Sequence, residues 1–439
     1  MKKKIKQIIR DFHLQKPFEV HSRELQLPIN THKIVTLMGV RRCGKTSILY
    51  ETINRLTQTI DKKQILFFNF EDERFELNQE SLDLILQAYM ELYPEIEMSS
   101  TYLFFDEIQN VDGWERFVRR VYDSVSQNIF ITGSNSKLLS RDIATSLRGR
   151  TITYEVFPLS FREYLAFEKI EVDLYSTKSL AFIHNRLEKF LHEGAFPETV
   201  LFDDRIREKI LQDYYNVMIY KDLVERFSIK NIEALKFFLK RILGSSTKIV
   251  SVNKIYNDLK SSGFKVGKNS LYEYLGYVED IYLSLTLDRY SQKITTQTDK
   301  KVYSIDIGFN NTVLYKFSDN IGKSMENAVF LELRRREKEI YYHADRSSEC
   351  DFVVVEKGRV TQAIQVTYEM DNEKTRAREF KGLVNACKQY GLDDGLIITY
   401  EEEGSYEEDG VKIELVSLVS FLLEKMLKPN KHLSLSKIF

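Results

Sequence analysis

Three observations predict that this chain is a multidomain α/β protein. A short apolar run at residues 33–38 leads into a glycine-containing loop, and apolar residues at helical spacing follow the loop. A second apolar run, at residues 102–105, ends in two acidic residues. Patterns typical of strands and helices then alternate along most of the 439 residues, a length for which about three domains are expected. We therefore predict that a parallel sheet comes first and that smaller domains follow.

The glycine-containing loop reads "GVRRCGKTS" and fits the pattern G-x-x-x-x-G-K-[ST]. In a strand–loop–helix unit, the backbone N–H groups of such a loop and the N-terminus of the helix point at phosphate oxygens. The alternative is a chance match in a tight turn, which the flanking strand and helix patterns disfavour. The predicted nucleotide-binding loop comprises Gly39, Val40, Arg41, Arg42, Cys43, Gly44, Lys45, Thr46 and Ser47.

Two side chains of this loop are expected to do specific chemistry. Lys45 supplies a positive charge for the β- and γ-phosphates, and the hydroxyl of Thr46 is a ligand for Mg²⁺. The glycines Gly39 and Gly44 allow the backbone to approach the phosphates closely. ATP and Mg²⁺ are therefore the predicted ligands.

The second apolar run, "TYLFFDEIQNV", places Asp106 and Glu107 at the C-terminal end of a buried strand. Parallel sheets bind their ligands at this end of the strands. Asp106 is expected to hold Mg²⁺ through water, and Glu107 to orient or deprotonate the attacking water. A further strand, "NIFITGSNS", ends in Ser134 and Asn135, which are candidates for contacts to the γ-phosphate or the water, although a simple polar turn explains them nearly as well.

Composition sets limits on the partners and the compartment. The 64 basic and 65 acidic residues nearly cancel, so any surface for nucleic acid must be local. The three cysteines are far apart and form no C-x-x-C pair, which argues against a disulfide framework and a zinc site. The basic N-terminus has no continuous apolar core, and no stretch reaches the ~18 apolar residues of a membrane span. We expect a soluble, cytoplasmic protein without a membrane partner.

Arg148 and Arg150 flank a glycine just before the alternating run "TITYE". Here the sequence resembles AAA-type ATPases, in which arginines before the last core strand reach the γ-phosphate held by a neighbouring subunit. The resemblance implies that one of these arginines stabilises transition-state charge and that the protein is a homo-oligomer. The alternative is a pair of surface arginines.

Four segments in order, "GVRRCGKTS", "FFDEIQNVDGWE", "TGSNSKLLSRDIATSLRGR" and "FPLSFREYL", resemble a more specific prokaryotic family. Its members join an AAA-type P-loop ATPase domain to a C-terminal restriction-endonuclease-like domain, mostly without an assigned role. This resemblance implies a parallel sheet with the P-loop strand central and the strand of "FFNFEDERF" beside the acidic one. Together with the residue patterns in the middle of the chain, it predicts four parts: an ATPase domain at 1–165, a helical lid at 166–245, a winged-helix-like domain at 246–300 and a nuclease-like domain at 301–439.

The winged-helix prediction rests on the order helix, turn at residues 261–263, second helix and alternating strand between residues 251 and 290. Lys265 and Lys268 are the basic residues near the second helix, but acidic residues follow them, so the expected surface for phosphates is thin. A scaffold role is therefore favoured over reading a DNA groove. Nucleic acid and a protein both remain candidate partners.

The last domain resembles the PD-(D/E)xK nuclease core, in which a helix carboxylate, a strand aspartate and an E-x-K triplet converge on Mg²⁺. Glu326 and Asp351 match the first two positions, but the triplet reads Gln365, Val366, Thr367, so its carboxylate and lysine are missing. An amide is a weak Mg²⁺ ligand, and threonine has no positive charge. The nearest later lysine, Lys374, lies in a charged segment. We predict a degenerate, inactive site, with a migrated lysine as the alternative.

The leading functional hypothesis is a Mg²⁺-dependent ATPase that acts as a switch or motor. One alternative is a nucleotide-binding signalling scaffold with little turnover. Another is a nuclease gated by ATP.

Overall fold

The computed structural model describes residues 1–74, 79–134, 147–291, 300–314, 320–345, 348–370 and 373–423. The chain divides into two compact units. The first comprises residues 1–158, 196–198 and 276–283, and the second comprises the remainder.

The first unit is built on a five-stranded sheet in the order β2-β3-β4-β1-β5, and every neighbouring pair is parallel. Buried, mostly apolar residues dominate β1 to β4, as expected for strands covered on both faces, whereas all five residues of the edge strand β5 are half-buried. The strands are β1 (Ile34–Met38), β2 (Ile65–Asn69), β3 (Tyr102–Asp106), β4 (Ile129–Gly133) and β5 (Thr151–Glu155).

This sheet confirms the predicted parallel α/β architecture and corrects one detail of it. The P-loop strand β1 lies between β4 and β5, so the strand at the centre is β4. The strand β2 of "FFNFEDERF" pairs with the acidic strand β3, as expected. The helices of the unit are α1 (Lys2–Leu14), α2 (Lys45–Leu56), α3 (Gln79–Leu92) and α4 (Trp114–Ser124), with short 3₁₀ turns at Lys62–Gln64, Met98–Ser100 and Ile108–Asn110.

The second unit begins with helices. The helix α5 starts with a capping box, in which Ser160 and Glu163 satisfy each other's backbone N–H groups. Its helices are α5 (Phe161–Phe167), α6 (Thr177–Glu193), α7 (Asp204–Val217) with a π-helical continuation (Met218–Glu225), α8 (Ile232–Gly244), α9 (Val252–Ser261) and α10 (Lys268–Asp280). The end of α10, from residue 276, belongs to the first unit.

A small antiparallel sheet follows, in the order β6-β8-β7, with β6 (Lys248–Val250), β7 (Ser284–Asp288) and β8 (Lys300–Ser304). The order α9, α10, β7 matches the elements expected between residues 251 and 290. The winged helix, the helical lid and the four-part domain division stay predictions.

A six-stranded mixed sheet forms the C-terminal part, in the order β13-β14-β12-β11-β10-β9. Three of its strands precede its longest helix. The elements are α11 (Ile307–Leu314), α12 (Ile321–Arg335), β9 (Glu339–Ala344), β10 (Glu349–Glu356), β11 (Arg359–Val366), α13 (Glu373–Tyr390), β12 (Asp394–Thr399), β13 (Gly404–Glu408), β14 (Val411–Ser417) and α14 (Leu418–Leu423). Among the described residues, no helix has the length and apolar character that crossing a bilayer requires.

Candidate functional site

The predicted nucleotide-binding loop connects β1 to α2 as expected from the sequence. Gly44 caps the helix with φ +99°, a left-handed conformation that favours glycine. A Cβ atom added to Gly39 would lie 2.0 Å from the carbonyl oxygen of Val156, so only glycine fits there. Both glycines are therefore required by the shape of the loop, independently of any ligand.

The side chain of Lys45 is buried and folded back onto its own loop. Its ammonium group donates to the carbonyl oxygens of Gly39 and Val40, each at 3.1 Å, and lies 3.4 Å from Oε1 of Glu107. Burial lowers the pKa of Lys45, but Glu107 and other negative groups outweigh it and hold the pKa above its usual value. The lysine is therefore a cation at the C-terminal edge of the sheet.

The other loop residues serve different contacts. Arg41 forms an ion pair with Glu71 at 2.6 Å. Arg42 has φ +68° and lies 3.7 Å from Glu198. The thiol of Cys43 is buried, which raises its pKa, and Ser47 is half-buried in the first turn of α2.

Behind the loop lies a buried cation that the sequence analysis overlooked. The guanidinium of Arg23 donates to the carbonyl oxygen of Cys43 at 2.7 Å and to that of Phe157 at 3.0 Å. Arg23 thus fastens the loop to the end of the sheet. It comes from an irregular segment 20 residues upstream, so no local pattern points to it.

The acidic strand brings Asp106 against the P-loop helix. Oδ2 of Asp106 accepts a hydrogen bond from the Thr46 hydroxyl at 2.9 Å, and Oδ1 accepts one from Thr132 at 2.5 Å. Burial raises the pKa of Asp106 to about 6, because it and the neighbouring Glu107 outweigh the hydrogen bonds from Thr132 and Thr46 and the charge of Lys45, which lower the pKa.

The hydroxyl of Thr46 and the carboxylate of Asp106 are the hard oxygen donors that Mg²⁺ prefers. Within the described part of the chain, no group of three or more His, Cys, Asp and Glu side chains is arranged to hold a metal alone. The donor set therefore fits an ion that shares its coordination with nucleotide phosphates and water.

Glu107 follows Asp106 in a left-handed backbone conformation, φ +54°, that costs a non-glycine residue roughly 1–2 kcal/mol. Its N–H donates to Thr132 Oγ1 at 2.9 Å, and its Oε2 accepts from the Gln109 amide at 2.6 Å. Burial raises the pKa of Glu107, but Lys45 and Gln109 outweigh it and lower the pKa below its usual value. Glu107 is thus an ionised carboxylate beside the P-loop lysine.

Thr132 and Gln109 were also overlooked by the sequence analysis. The hydroxyl of Thr132 links Asp106 and the backbone of Glu107, because β4 lies between the acidic strand and β1. A threonine inside a strand has no sequence signature for this role. Ser134 lies at the same edge, 3.4 Å from the Gln109 amide, whereas Asn135 lies outside the described residues.

The two candidate arginines differ in their surroundings. Arg150 forms a two-point ion pair with Asp123, at 3.0 and 3.3 Å. Arg148 is exposed, has φ +50° and forms no ion pair with any other residue that the structure describes. Of the two arginines, only Arg150 is thus held by an ion pair within the described residues.

In the second unit, Glu326 and Asp351 converge as expected, but on a lysine that the sequence analysis did not consider. Nζ of Lys301, on β8, lies 3.3 Å from Glu326, 3.0 Å from Asp351 and 2.6 Å from Glu349. This lysine comes from β8, earlier in the chain than both carboxylates, and not from the triplet or from Lys374.

The remaining residues of the predicted degenerate site are ordered by hydrogen bonds. The Gln365 side chain accepts from the Asp351 N–H at 3.2 Å and donates to Glu379 at 2.6 Å. The Thr367 hydroxyl donates to the Glu369 carbonyl and makes no contact with the carboxylates. Gln365 thus belongs to the cluster, and Thr367 does not.

Burial and the neighbouring Asp351 raise the pKa of Glu326 to about 8. Burial lowers the pKa of Lys301, but Tyr303 and the carboxylates outweigh it and raise the pKa well above its usual value. Lys301 is therefore a permanent cation inside the cluster.

Comparison with known proteins adds a family description. Residues 31–165 match the family described as an AAA domain, and residues 184–320 and 321–420 match two domains of unknown function, DUF8612 and DUF4143. The uncharacterized protein MJ1544 of Methanocaldococcus jannaschii is 39% identical over 425 residues, which cover 94% of this chain and 93% of that protein. An uncharacterized protein of Haemophilus influenzae is 28% identical over 398 residues, 90% of this chain and 95% of that protein.

Among solved structures, the Walker-type ATPase PABY2304 of Pyrococcus abyssi is similar, with a TM-score of 0.41 and 14% identity, over 71% of this chain and 95% of that one. The Orc1 protein of Aeropyrum pernix, solved in complex with DNA, is similar with a TM-score of 0.27 and 12% identity, over 65% of this chain and 87% of that one. The AAA match includes the loop at residues 39–47 and the side chains around it, but not Arg23. Those side chains are Asp106, Glu107, Gln109, Thr132 and Ser134.

Proposed function

The chain belongs to the family of the Methanocaldococcus jannaschii protein MJ1544, and we propose that it is a Mg²⁺-dependent ATPase that acts as a switch or motor. The observation that carries the proposal is the convergence of Lys45, Thr46, Asp106 and Glu107 at one edge of a parallel sheet. An AAA domain match over residues 31–165 supports the same reading.

Each of these side chains has a distinct task in the proposed reaction. Lys45 neutralises the β- and γ-phosphates, and this requires it to leave its contacts with the loop carbonyls and Glu107. Thr46 and Asp106 hold Mg²⁺, which when bound neutralises charge on the phosphates. Glu107, ionised and held at Oε2 by the Gln109 amide, accepts a proton from the attacking water at Oε1, the oxygen that Lys45 has left.

The oligomer is proposed because the resemblance to AAA-type ATPases implies an arginine that reaches the γ-phosphate held by a neighbouring subunit. Arg148 is the better candidate for a contact to a neighbouring subunit, because Arg150 is already paired with Asp123. A positive charge at the γ-phosphate of the transition state accelerates such reactions by ~10³ or more.

For the C-terminal part we propose a nuclease-like core that does not cleave nucleic acid. The Lys301 ammonium pairs with Asp351 and Glu349, and the raised pKa of Glu326 disfavours its charged form, so little negative charge is left to bind a metal. The amide of Gln365 stands where a further carboxylate would be needed. The role of this part would then be to bind a nucleic acid or protein partner.

Two other functions are each favoured by a specific contact. The ion pair between Lys45 and Glu107 favours a nucleotide-binding scaffold with little turnover, because the proposed base is paired with the P-loop lysine and not available to a water molecule. The convergence of Lys301, Glu326 and Asp351 favours a nuclease gated by ATP, because a lysine beside carboxylates is what such a centre needs.

Steady-state phosphate release from ATP, measured with Mg²⁺ and with or without DNA or RNA, separates the switch or motor from the scaffold. A switch or motor turns over ATP and is stimulated by its partner. A scaffold binds ATP but releases phosphate at a rate that no nucleic acid changes.

A further inference from the structure

Gln109 lies two residues after Glu107, in the 3₁₀ turn Ile108–Asn110. Its Nε2 is 2.6 Å from Oε2 of Glu107 and 3.4 Å from the hydroxyl oxygen of Ser134. A carboxylate only accepts hydrogen bonds, so the NH₂ end of the amide must face Glu107 and the carbonyl end must point away from it.

That carbonyl oxygen, Oε1 of Gln109, is buried and has no hydrogen-bond partner among the residues that the structure describes. A buried acceptor without a partner costs folding free energy, and most such atoms are satisfied by water or a ligand. This unpartnered oxygen belongs to the same amide group that donates to the proposed base, Glu107, and it therefore indicates where a water binds.

We propose, building on the ATPase function above, that Gln109 orients the attacking water together with Glu107. The Nε2 group fixes one oxygen of the Glu107 carboxylate, and Oε1 accepts a hydrogen bond from the water. One proton of the water then points at Glu107 and the other at Gln109, so the oxygen lone pair is directed at the γ-phosphorus.

The reaction balances without any further reactant. The water oxygen forms a bond to the γ-phosphorus, and the bond from that phosphorus to the β–γ bridging oxygen breaks. ADP leaves with the electron pair, and one water proton passes to Glu107. The products are ADP and inorganic phosphate.

The test compares three variants of the full chain. Gln109→Met keeps the length and apolar bulk of the side chain but removes both hydrogen-bonding groups, and Gln109→Asn keeps both groups on a shorter chain. Asn110→Ala is the matched control, because Asn110 is an exposed amide in the same turn with a single long contact, 3.5 Å, to the carbonyl oxygen of Phe70.

We expect Gln109→Met to lower kcat for phosphate release on the order of 10- to 100-fold, with KM for ATP and the affinity for a fluorescent ATP analogue changed less than about twofold. Gln109→Asn should recover part of kcat, and Asn110→Ala should match the wild type. A packing role would instead leave Gln109→Met active, because its volume is kept.

Three outcomes overturn the proposal in distinguishable ways. Wild-type kcat in Gln109→Met, with a wild-type protein that turns over ATP, overturns the role of Gln109 and leaves the ATPase function intact. Loss of nucleotide affinity in parallel with kcat in Gln109→Met also overturns it, since the residue would then shape the binding site. A wild-type protein that binds ATP without turnover overturns both.

Discussion

The ammonium group of Lys45 lies 3.4 Å from a carboxylate oxygen of Glu107, so the P-loop lysine and the acidic residue after β3 form a buried ion pair. The same ammonium donates to the carbonyl oxygens of Gly39 and Val40. Nucleotide binding must replace these contacts by contacts to phosphate oxygens. The ion pair therefore couples the binding of phosphate to the release of the proposed base.

Replacing the lysine tests its side of this coupling. Lys45→Met should weaken the binding of a fluorescent ATP analogue by about 30- to 100-fold, because a charged hydrogen bond to phosphate is worth ~2–3 kcal/mol. Lys3→Met, which removes an exposed lysine of α1, is the control and should bind normally. Wild-type affinity in Lys45→Met would contradict the assignment of this loop as the phosphate site.

The fit of Gly39 gives a prediction about stability. Gly39→Ala would bring a Cβ to 2.0 Å from the Val156 carbonyl oxygen, a backbone atom that cannot move cheaply, so we expect a loss of at least ~2 kcal/mol. Gly276→Ala, in open space within α10, should be neutral or stabilising by up to ~1 kcal/mol. The fluorescence of Trp114, the one tryptophan of the chain, reports unfolding of the first unit. Equal stability of the two variants would show that the loop is more pliable than its geometry indicates.

The prediction for Arg148 is that two inactive variants regain ATP hydrolysis when they are mixed. If Arg148 acts on a neighbouring subunit, mixing Lys45→Ala with Arg148→Ala protein should recover some phosphate release, because mixed oligomers contain intact composite sites. Arg150→Ala should lower stability through loss of the Asp123 pair, by up to ~1 kcal/mol, and retain turnover. No recovery in any mixture, with a monomeric mass in ATP, would favour the scaffold function.

The C-terminal cluster gives a prediction about cleavage. Purified wild-type protein should not nick supercoiled plasmid with Mg²⁺ or Mn²⁺, with or without ATP, because Lys301 pairs with Asp351 and Glu349 and the raised pKa of Glu326 disfavours its charged form. Asp351→Ala and Lys301→Met proteins serve to identify contaminating nucleases. Nicking by the wild type that disappears in both variants would establish a nuclease with a lysine supplied by β8.

The parts of the site that the sequence predicts are those formed by residues that are contiguous in the chain. The loop around Lys45 and the strand ending in Asp106 and Glu107 each combine a motif with a strand pattern, so the sequence alone located them. Thr132 joins this site only because β4 lies between β1 and β3, and strand order is set by long-range packing.

Lys301 illustrates the same limit in the second unit. It precedes Glu326 by 25 residues and reaches the cluster from a separate three-stranded sheet. No pattern in the sequence around Gln365 points to a lysine on β8. The sequence also does not distinguish Arg148 from Arg150, because the ion pair of Arg150 with Asp123 depends on where α4 ends.

The most direct test of the account compares binding and turnover in Glu107→Gln. The glutamine can still accept hydrogen bonds but is a poor base, so we expect ATP-analogue affinity within about threefold of the wild type and phosphate release reduced by ~10² or more. Asn110→Ala is assayed beside it as the control. Slow release with intact binding is expected if Glu107 is the base; phosphate release by Glu107→Gln at the wild-type rate would exclude that role.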